Sequence, residues 1–263
     1  MLVLLPPSEG KRAPASGPPV DLEALVHPSL TRKRRAALGA LERLARGSRP
    51  RALAALGLSP GQGAEVERDA GLLQAPAAPA GEVYTGVLYQ HLDLASLPAG
   101  AARGAGAEVL VASALWGVVA LEDRIPAYRL AMGARLPLRP APRGGLASWW
   151  RPALAAALPD APGELVLDLR SGVYAAAWRP RAATLVEVRA RDEQGRPISH
   201  MAKAVRGRVA RRVLEAARPP ATPAQVAALA DDGAGRVALH EPARAGGAWV
   251  VEVVGPAAGA AGG

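Results

Sequence analysis

The chain opens with five apolar residues, Met1 to Leu5, and then stops at Pro6-Pro7. A short continuous apolar run bounded by breakers predicts a buried strand, because proline cannot donate to a sheet ladder. The same pattern returns at Glu108-Val-Leu-Val-Ala-Ser113, at Leu165-Val-Leu-Asp168 and at Thr184 to Arg191, with a last apolar run over 247–254. Between these runs the period changes. Asp21 to Ala45 carries Leu38, Leu41 and Leu44 at helical spacing, and residues 50–73 read as short helices broken at Gly57-Leu-Ser-Pro-Gly61. Helices are also expected near 87–97, 146–158, 202–217 and 222–230. Asp192-Glu-Gln-Gly195 reads as a hairpin turn whose partner strand runs toward His200. Strands separated by helices, plus one hairpin, predict an α+β fold: a single domain over 1–255 with a mixed β-sheet flanked by helices. Residues 256–263, rich in Ala and Gly, are expected to form a flexible tail.

Composition narrows the function classes. The chain has 263 residues, enough for one large core, and half of them are apolar. Ala, Gly, Pro and Arg are abundant and Phe is absent, a bias that a GC-rich genome writes into any protein. The net charge of +9 favours polyanionic partners, DNA among them. With no cysteine, the chain has no disulfide, zinc finger, iron–sulfur cluster or thiol nucleophile. The four histidines are scattered, none paired at metal-ligand spacing, so no metal and no cofactor is expected. No apolar run approaches a membrane span and the N-terminus lacks a signal-peptide pattern, so the expected setting is cytoplasmic, without a membrane.

Three predicted strands end in polar residues: Pro6 to Lys11, Ser113 to Gly117 and Asp168 to Tyr174. If they are parallel neighbours, these ends share one sheet edge, where α/β proteins place their ligands. The resulting cleft would hold Ser8, Glu9, Lys11, Asp168, Ser171 and Tyr174, with Arg124, Tyr128 and Arg129 from a following loop. Glu9 and Asp168 are the acid/base candidates, since carboxylates beside arginines are tuned for proton transfer. Lys11, Arg124 and Arg129 suit a phosphate or carboxylate group. Farther along, the predicted helix at 202–217 has a Val205, Val209 and Val213 stripe, with Lys203, Arg206, Arg208, Arg211 and Arg212 around it. Such a surface can follow a phosphate backbone, and on that reading Arg206→Ala and Arg211→Ala each lower the salt slope of DNA binding by about one. Another basic run, Arg32-Lys-Arg-Arg35, reads as a solvated helix face.

Five segments in register resemble the YaaA peroxide-stress protein family. They are Leu4-Leu-Pro-Pro-Ser8-Glu9-Gly10-Lys11, Val83-Tyr84-Thr85-Gly86, Leu115-Trp-Gly-Val with Ile125-Pro-Ala-Tyr128-Arg129-Leu-Ala-Met132-Gly133, Leu167-Asp168-Leu169 with Ser171 and Tyr174, and Lys203 with Arg206-Gly207. The resemblance adds Tyr84 and Thr85 to the candidate cleft. It implies a mixed α+β fold with a positive cleft, DNA binding through a helix-hairpin-helix placed at Gly57–Gly61, and protection from hydrogen peroxide by limiting free intracellular iron. It implies no established reaction. The chain departs from the family pattern at Ala120-Leu121, where an Arg-Pro is usual, and at Val173, where a Glu precedes the tyrosine. The alternative to a stress protein acting on DNA is an enzyme for a small phosphorylated or nucleoside-like ligand in the cleft.

Overall fold

A seven-stranded sheet organises the protein in a computed structural model, which describes residues 1–97, 106–233 and 235–255. The expected tail, 256–263, lies outside the described residues. The strands are β1 (Leu2–Leu5), β2 (Ala78–Pro79), β3 (Glu108–Ser113), β4 (Gly117–Ala120), β5 (Arg124–Ile125), β6 (Leu165–Asp168), β7 (Thr184–Arg191), β8 (Arg236–His240) and β9 (Trp249–Val254). The helices are α1 (Thr31–Ala45), α2 (Arg49–Leu56), α3 (Gly63–Asp69), α4 (Ala80–Val83), α5 (Val87–Leu92), α6 (Gly145–Ala157), α7 (Gly172–Ala175), α8 (Ser199–Glu215) and α9 (Pro223–Ala230).

The sheet order is β4-β3-β1-β6-β7-β9-β8, and β2 pairs β5 in a small antiparallel ribbon. β1, β3, β6, β7 and β9 run parallel, while β4 and β8 close the two edges as antiparallel strands. The architecture is α+β with a mixed sheet. β1 is central, covered on both faces, and all four of its residues are buried. This is why it reads as an unbroken apolar run instead of an alternating one. The chain first builds outward from β1 to β3 and then crosses to β6 on the other side. A crevice forms outside the strand ends at such a reversal.

α8 packs on β7 and lies against α5, with α9 beyond it. The α5–α8 approach depends on Gly207, where a Cβ would stand 2.3 Å from the Leu88 carbonyl oxygen. Three differences from the sequence reading have physical causes. Residues 21–27 are turns, not helix: His27 has a left-handed φ of 54° and Pro28 follows, so the helix starts at Thr31. The partner strand expected after Gly195 shrinks to an Arg191–Pro197 bridge, because Pro197 has no amide to extend the ladder. β8 adds an edge strand that the sequence pattern hides, since its residues are all half-buried or exposed. Among the described residues, no helix is long and apolar enough to cross a membrane.

Candidate functional site

The site is built on the loop that leaves β1. Pro6 offers its carbonyl to the Tyr89 hydroxyl at 2.8 Å. Ser8 Oγ accepts the Thr85 amide at 3.0 Å and donates to the Gly10 carbonyl. Lys11 then pairs with Tyr84 in a short antiparallel bridge, and the Arg12 amide donates to the Val83 carbonyl at 2.9 Å. These contacts bind the first eleven residues to the Val83–Gly86 segment.

The Lys11 ammonium donates to the Ser8 carbonyl at 2.8 Å. It lies 4.3 Å from the Tyr128 ring centroid and 5.4 Å from that of Tyr84, an arrangement that stabilises a cation through the ring quadrupoles. Beneath it runs a line of hydroxyls: Ser113 Oγ to Tyr128 at 2.7 Å, and Tyr128 to Tyr84 at 2.9 Å. Ser113 Oγ already accepts the Leu115 and Trp116 amides, at 3.1 and 2.9 Å. Both of its lone pairs are therefore engaged, and its proton goes to Tyr128. Tyr128 and Tyr84 share the next hydrogen bond, in which either hydroxyl can donate. Burial raises the pKa of all three tyrosines, 84, 89 and 128, so they act as neutral donors. Tyr84 and Thr85 also line a cavity of about 670 Å³, together with Arg12, Glu82 and Gln90.

Asp69 ends α3 and is fully buried. Its Oδ1 accepts the Arg129 amide at 2.9 Å, while Oδ2 has no partner among the described residues. Burial lifts its pKa to about 7, against the Arg129 amide bond and the Lys11 charge. Burial and the Arg129 cation lower Lys11 to about 8, against the pull of Asp69, Glu65 and Glu9. The Arg129 guanidinium donates to the Glu9 carbonyl at 3.1 Å and to its carboxylate at 3.4 Å, and Glu9 is 87% exposed. Tyr174, raised by burial, faces the same Glu9 and Arg129 charges and bonds the Met132 backbone. An amine able to lose a proton thus neighbours a carboxyl able to hold one near neutral pH, with a cation beside them.

The parallel order β3-β1-β6 does place the three predicted strand ends side by side. It does not place Asp168 among the tyrosines. Asp168 pairs in register with Leu4, whereas Ser113 follows two residues after Val111, the partner of Leu5. Side chains alternate along a strand, so Ser113 and Asp168 face opposite sides of the sheet. Asp168 instead holds Arg170 in a buried bidentate pair, at 2.8 and 2.7 Å, and Arg170 also donates to the Trp178 carbonyl. Ser171 is exposed at the start of α7, next to Val173, which is 59% exposed. Arg124 is exposed and donates to the Ala77 carbonyl at 2.6 Å. Ala120 ends β4 and donates its amide to Asp123.

On α8, Arg206 donates to the Val188 carbonyl at 3.2 Å, and burial lowers its pKa. Arg208 pairs with Asp232 at 2.9 Å. Arg211 holds the Asp93 carbonyl and Ser96 at 3.0 and 2.8 Å and pairs with Glu215. Arg212 donates to the carbonyls of Leu229 and Asp231. Lys203 is exposed. The α2–α3 hairpin exists, with Gly57 left-handed at φ 69°, and its Gly57, Leu58 and Ser59 amides bond within the hairpin.

Two buried charged residues next to the site escaped the sequence reading. Asp69 is one, and its signal was its spacing: Gly63, Val66, Asp69 and Leu72 recur every three residues on a buried face, where a carboxylate does not belong without a reason. Arg34 is the other. It is fully buried, not on a solvated face, and donates to the carbonyls of Trp116, Val26 and Val118 at 3.1, 2.7 and 2.8 Å. It ties α1 to the β3–β4 turn that carries Ser113.

The fold is of the α+β class, a mixed sheet with Lys11, Arg129 and the buried Asp69 gathered beyond the end of its β1 strand. A family model described as peroxide stress protein YaaA matches residues 1–233, and the chain belongs to that family. It is 46% identical over 259 residues to a UPF0246 protein of Streptomyces coelicolor, covering 97% of this chain and 98% of that one. A UPF0246 protein of Corynebacterium glutamicum is 38% identical over 80% of this chain and 84% of its own length. One from Corynebacterium efficiens is 34% identical over 92% and 96%.

Proposed function

We propose that the chain contributes to peroxide protection through the Lys11 cleft, which binds and acts on a phosphorylated, nucleoside- or sugar-like ligand in a cytoplasmic setting. One observation carries this reading. Lys11 and Asp69, 58 positions apart in the sequence, meet in one electrostatic environment, and each is pushed toward neutrality there. Surfaces do not need such groups; proton transfer does. In this reading Arg129 receives the anion beside Lys11, Ser8 fixes the loop that carries them, and Tyr84 contributes its hydroxyl to a ligand oxygen. Tyr128 and Thr85 hold the floor of the cleft. Glu9 positions Arg129, and Tyr174 closes the side. Asp69 takes the acid/base role first considered for Asp168, and Asp168 with Arg170 supports the strand end.

Isothermal calorimetry with pentose 5-phosphates and nucleoside 5′-monophosphates tests the reading. Binding is expected, weakened about tenfold or more by Arg129→Ala, since charge-assisted bidentate contacts are strong. Absence of binding at millimolar ligand would end it.

A second reading is engagement of DNA, with free iron kept low by the same stress role. The net charge of +9 and the exposed α2–α3 turn support it. Its mark is binding that weakens steeply with salt.

A further inference from the structure

We propose that Lys11 is an imine-forming lysine whose ligand is a phosphorylated sugar aldehyde, either free or present as the abasic residue of a DNA strand. The inference deepens the cleft reading above and rests on it. Its starting point is a count. Of the 32 basic residues, only Lys11, Lys33 and Lys203 are lysines. The chain supplies nearly all of its cations as arginine, even in the fully buried position of Arg34. At Lys11 the ammonium sits against two aromatic rings, a place where a guanidinium would stack equally well. What arginine cannot do there is lose its proton.

The surroundings match what an amine nucleophile needs. Lysine is activated when it is desolvated or set beside another cation, and Lys11 has both: its ammonium is buried and the Arg129 charge is close. Lys33 also lies over a ring, that of Trp149, donates to the Trp149 carbonyl and is lowered by burial, but without the neighbouring cation that acts on Lys11; Lys203 is exposed. Amines of this kind react with carbonyl carbon. Arg129, whose charge acts on Lys11, supplies a cation for a phosphate, and the Tyr84 ring that Lys11 faces also borders a cavity of about 670 Å³ that Arg12 lines. Aldehydic sugar phosphates are also what oxidative attack leaves in a DNA strand.

The step balances without any further reactant. Neutral Lys11 Nζ attacks the aldehyde carbon, and the carbon–nitrogen bond forms as the carbonyl π pair moves to oxygen. A proton passes from nitrogen to that oxygen, giving a carbinolamine. Asp69 donates its proton to the carbinolamine hydroxyl, which leaves as water while the nitrogen lone pair completes the C=N bond. The products are a Lys11 iminium, an Asp69 carboxylate and one water; hydrolysis reverses each step.

Sodium borohydride reduces an iminium to a stable secondary amine, so the experiment is reductive trapping on the full chain followed by peptide mapping. The probes are 2-deoxyribose 5-phosphate and a duplex oligonucleotide carrying one abasic site. An adduct on Lys11 with either probe supports the proposal. Trapping with the oligonucleotide alone identifies the strand-borne source, and trapping with the free sugar alone identifies the small molecule. Lys11→Arg is expected to lose the adduct, and Asp69→Asn to slow its formation roughly 100-fold. Mapping the wild-type chain keeps the test decisive even if a variant misfolds. Adducts confined to Lys33, Lys203 or the Met1 amine, or no adduct with either probe, overturn it. If sugar phosphates bind by calorimetry yet no adduct forms, the imine is wrong while the cleft reading stands.

Discussion

The helix α8 and the loop after β1 make opposite uses of charge. α8 carries four arginines and a lysine within ten residues, from Lys203 to Arg212, the densest basic stretch of the pair. Each of its arginines nevertheless donates to a carbonyl or carboxylate of the protein itself. They bind α8 to β7, α5 and α9. The β1 loop carries one lysine and borrows Arg129 and Asp69 from elsewhere. There the charges are few, and Asp69 is fully buried with one carboxylate oxygen unmatched. The difference shows that charge density along a sequence says little about charge available to a ligand. A buried group with an unused valence says more.

The sharpest way to break this comparison starts at the Asp168–Arg170 pair, which lies near the cleft in sequence but behaves like the α8 arginines. Arg170→Ala strands a buried carboxylate, and a loss of about 3–5 kcal/mol is expected in urea unfolding. A loss below about 1 kcal/mol would reopen Asp168 as a free acid/base group.

The second test is the pH dependence of stability. The folded-state pKa of Asp69 lies at about 7, above its ordinary value of 3.8, so between those values the native state binds the extra proton. Stability should therefore fall as pH rises from about 4 to 7, by an amount on the order of 3 kcal/mol. Asp69→Asn, which keeps an acceptor for the Arg129 amide, should remove that slope. Lys11 acts at the other end. Its pKa is lowered from 10.5 to about 8, so its cost is full below pH 8 and is relieved as pH climbs toward 10.5. Lys11→Met should flatten that rise. A profile identical in wild type and both variants would mean that these groups are not buried as described.

Smaller effects separate the two regions directly. Arg211→Ala is expected to cost about 1–2 kcal/mol of stability, because it removes the donor that the Leu92 and Asp93 carbonyls and Ser96 share, and to leave the salt slope of any DNA binding unchanged. This revises the loss of about one slope unit expected from sequence alone. Lys203→Ala should change stability by less than about 0.5 kcal/mol. A lowered slope in the Arg211 variant at unchanged stability would restore α8 as a nucleic-acid face.

The legible parts of the molecule are those with one strong pattern. β1 and β7 are apolar runs between breakers, and α8 shows its valine stripe at four-residue spacing. Among the aligned motifs were Lys11, Tyr84, Tyr128 and Arg129, which the structure brings together. What escaped depends on registration. The opposite facing of Ser113 and Asp168 follows from a one-residue difference in strand pairing, which no local pattern records. Asp69 and Arg34 are polar residues on buried faces, and each looked like a neighbour of ordinary surface charges. The alanine-rich composition blurred helix starts, so Pro28 outweighed an apparent helix over 21–30.

The central claim is that Lys11, and neither Lys33 nor Lys203, is the working amine. Reductive ¹³C-methylation labels all three and the Met1 amine, the lysine signals are assigned with single Lys→Arg variants, and NMR follows each through a pH titration. The account predicts one signal, lost in Lys11→Arg, that titrates near pH 8 and shifts when a pentose 5-phosphate is added. Three lysine signals all titrating above pH 10 and blind to the sugar phosphate, near the ordinary lysine value, would contradict it.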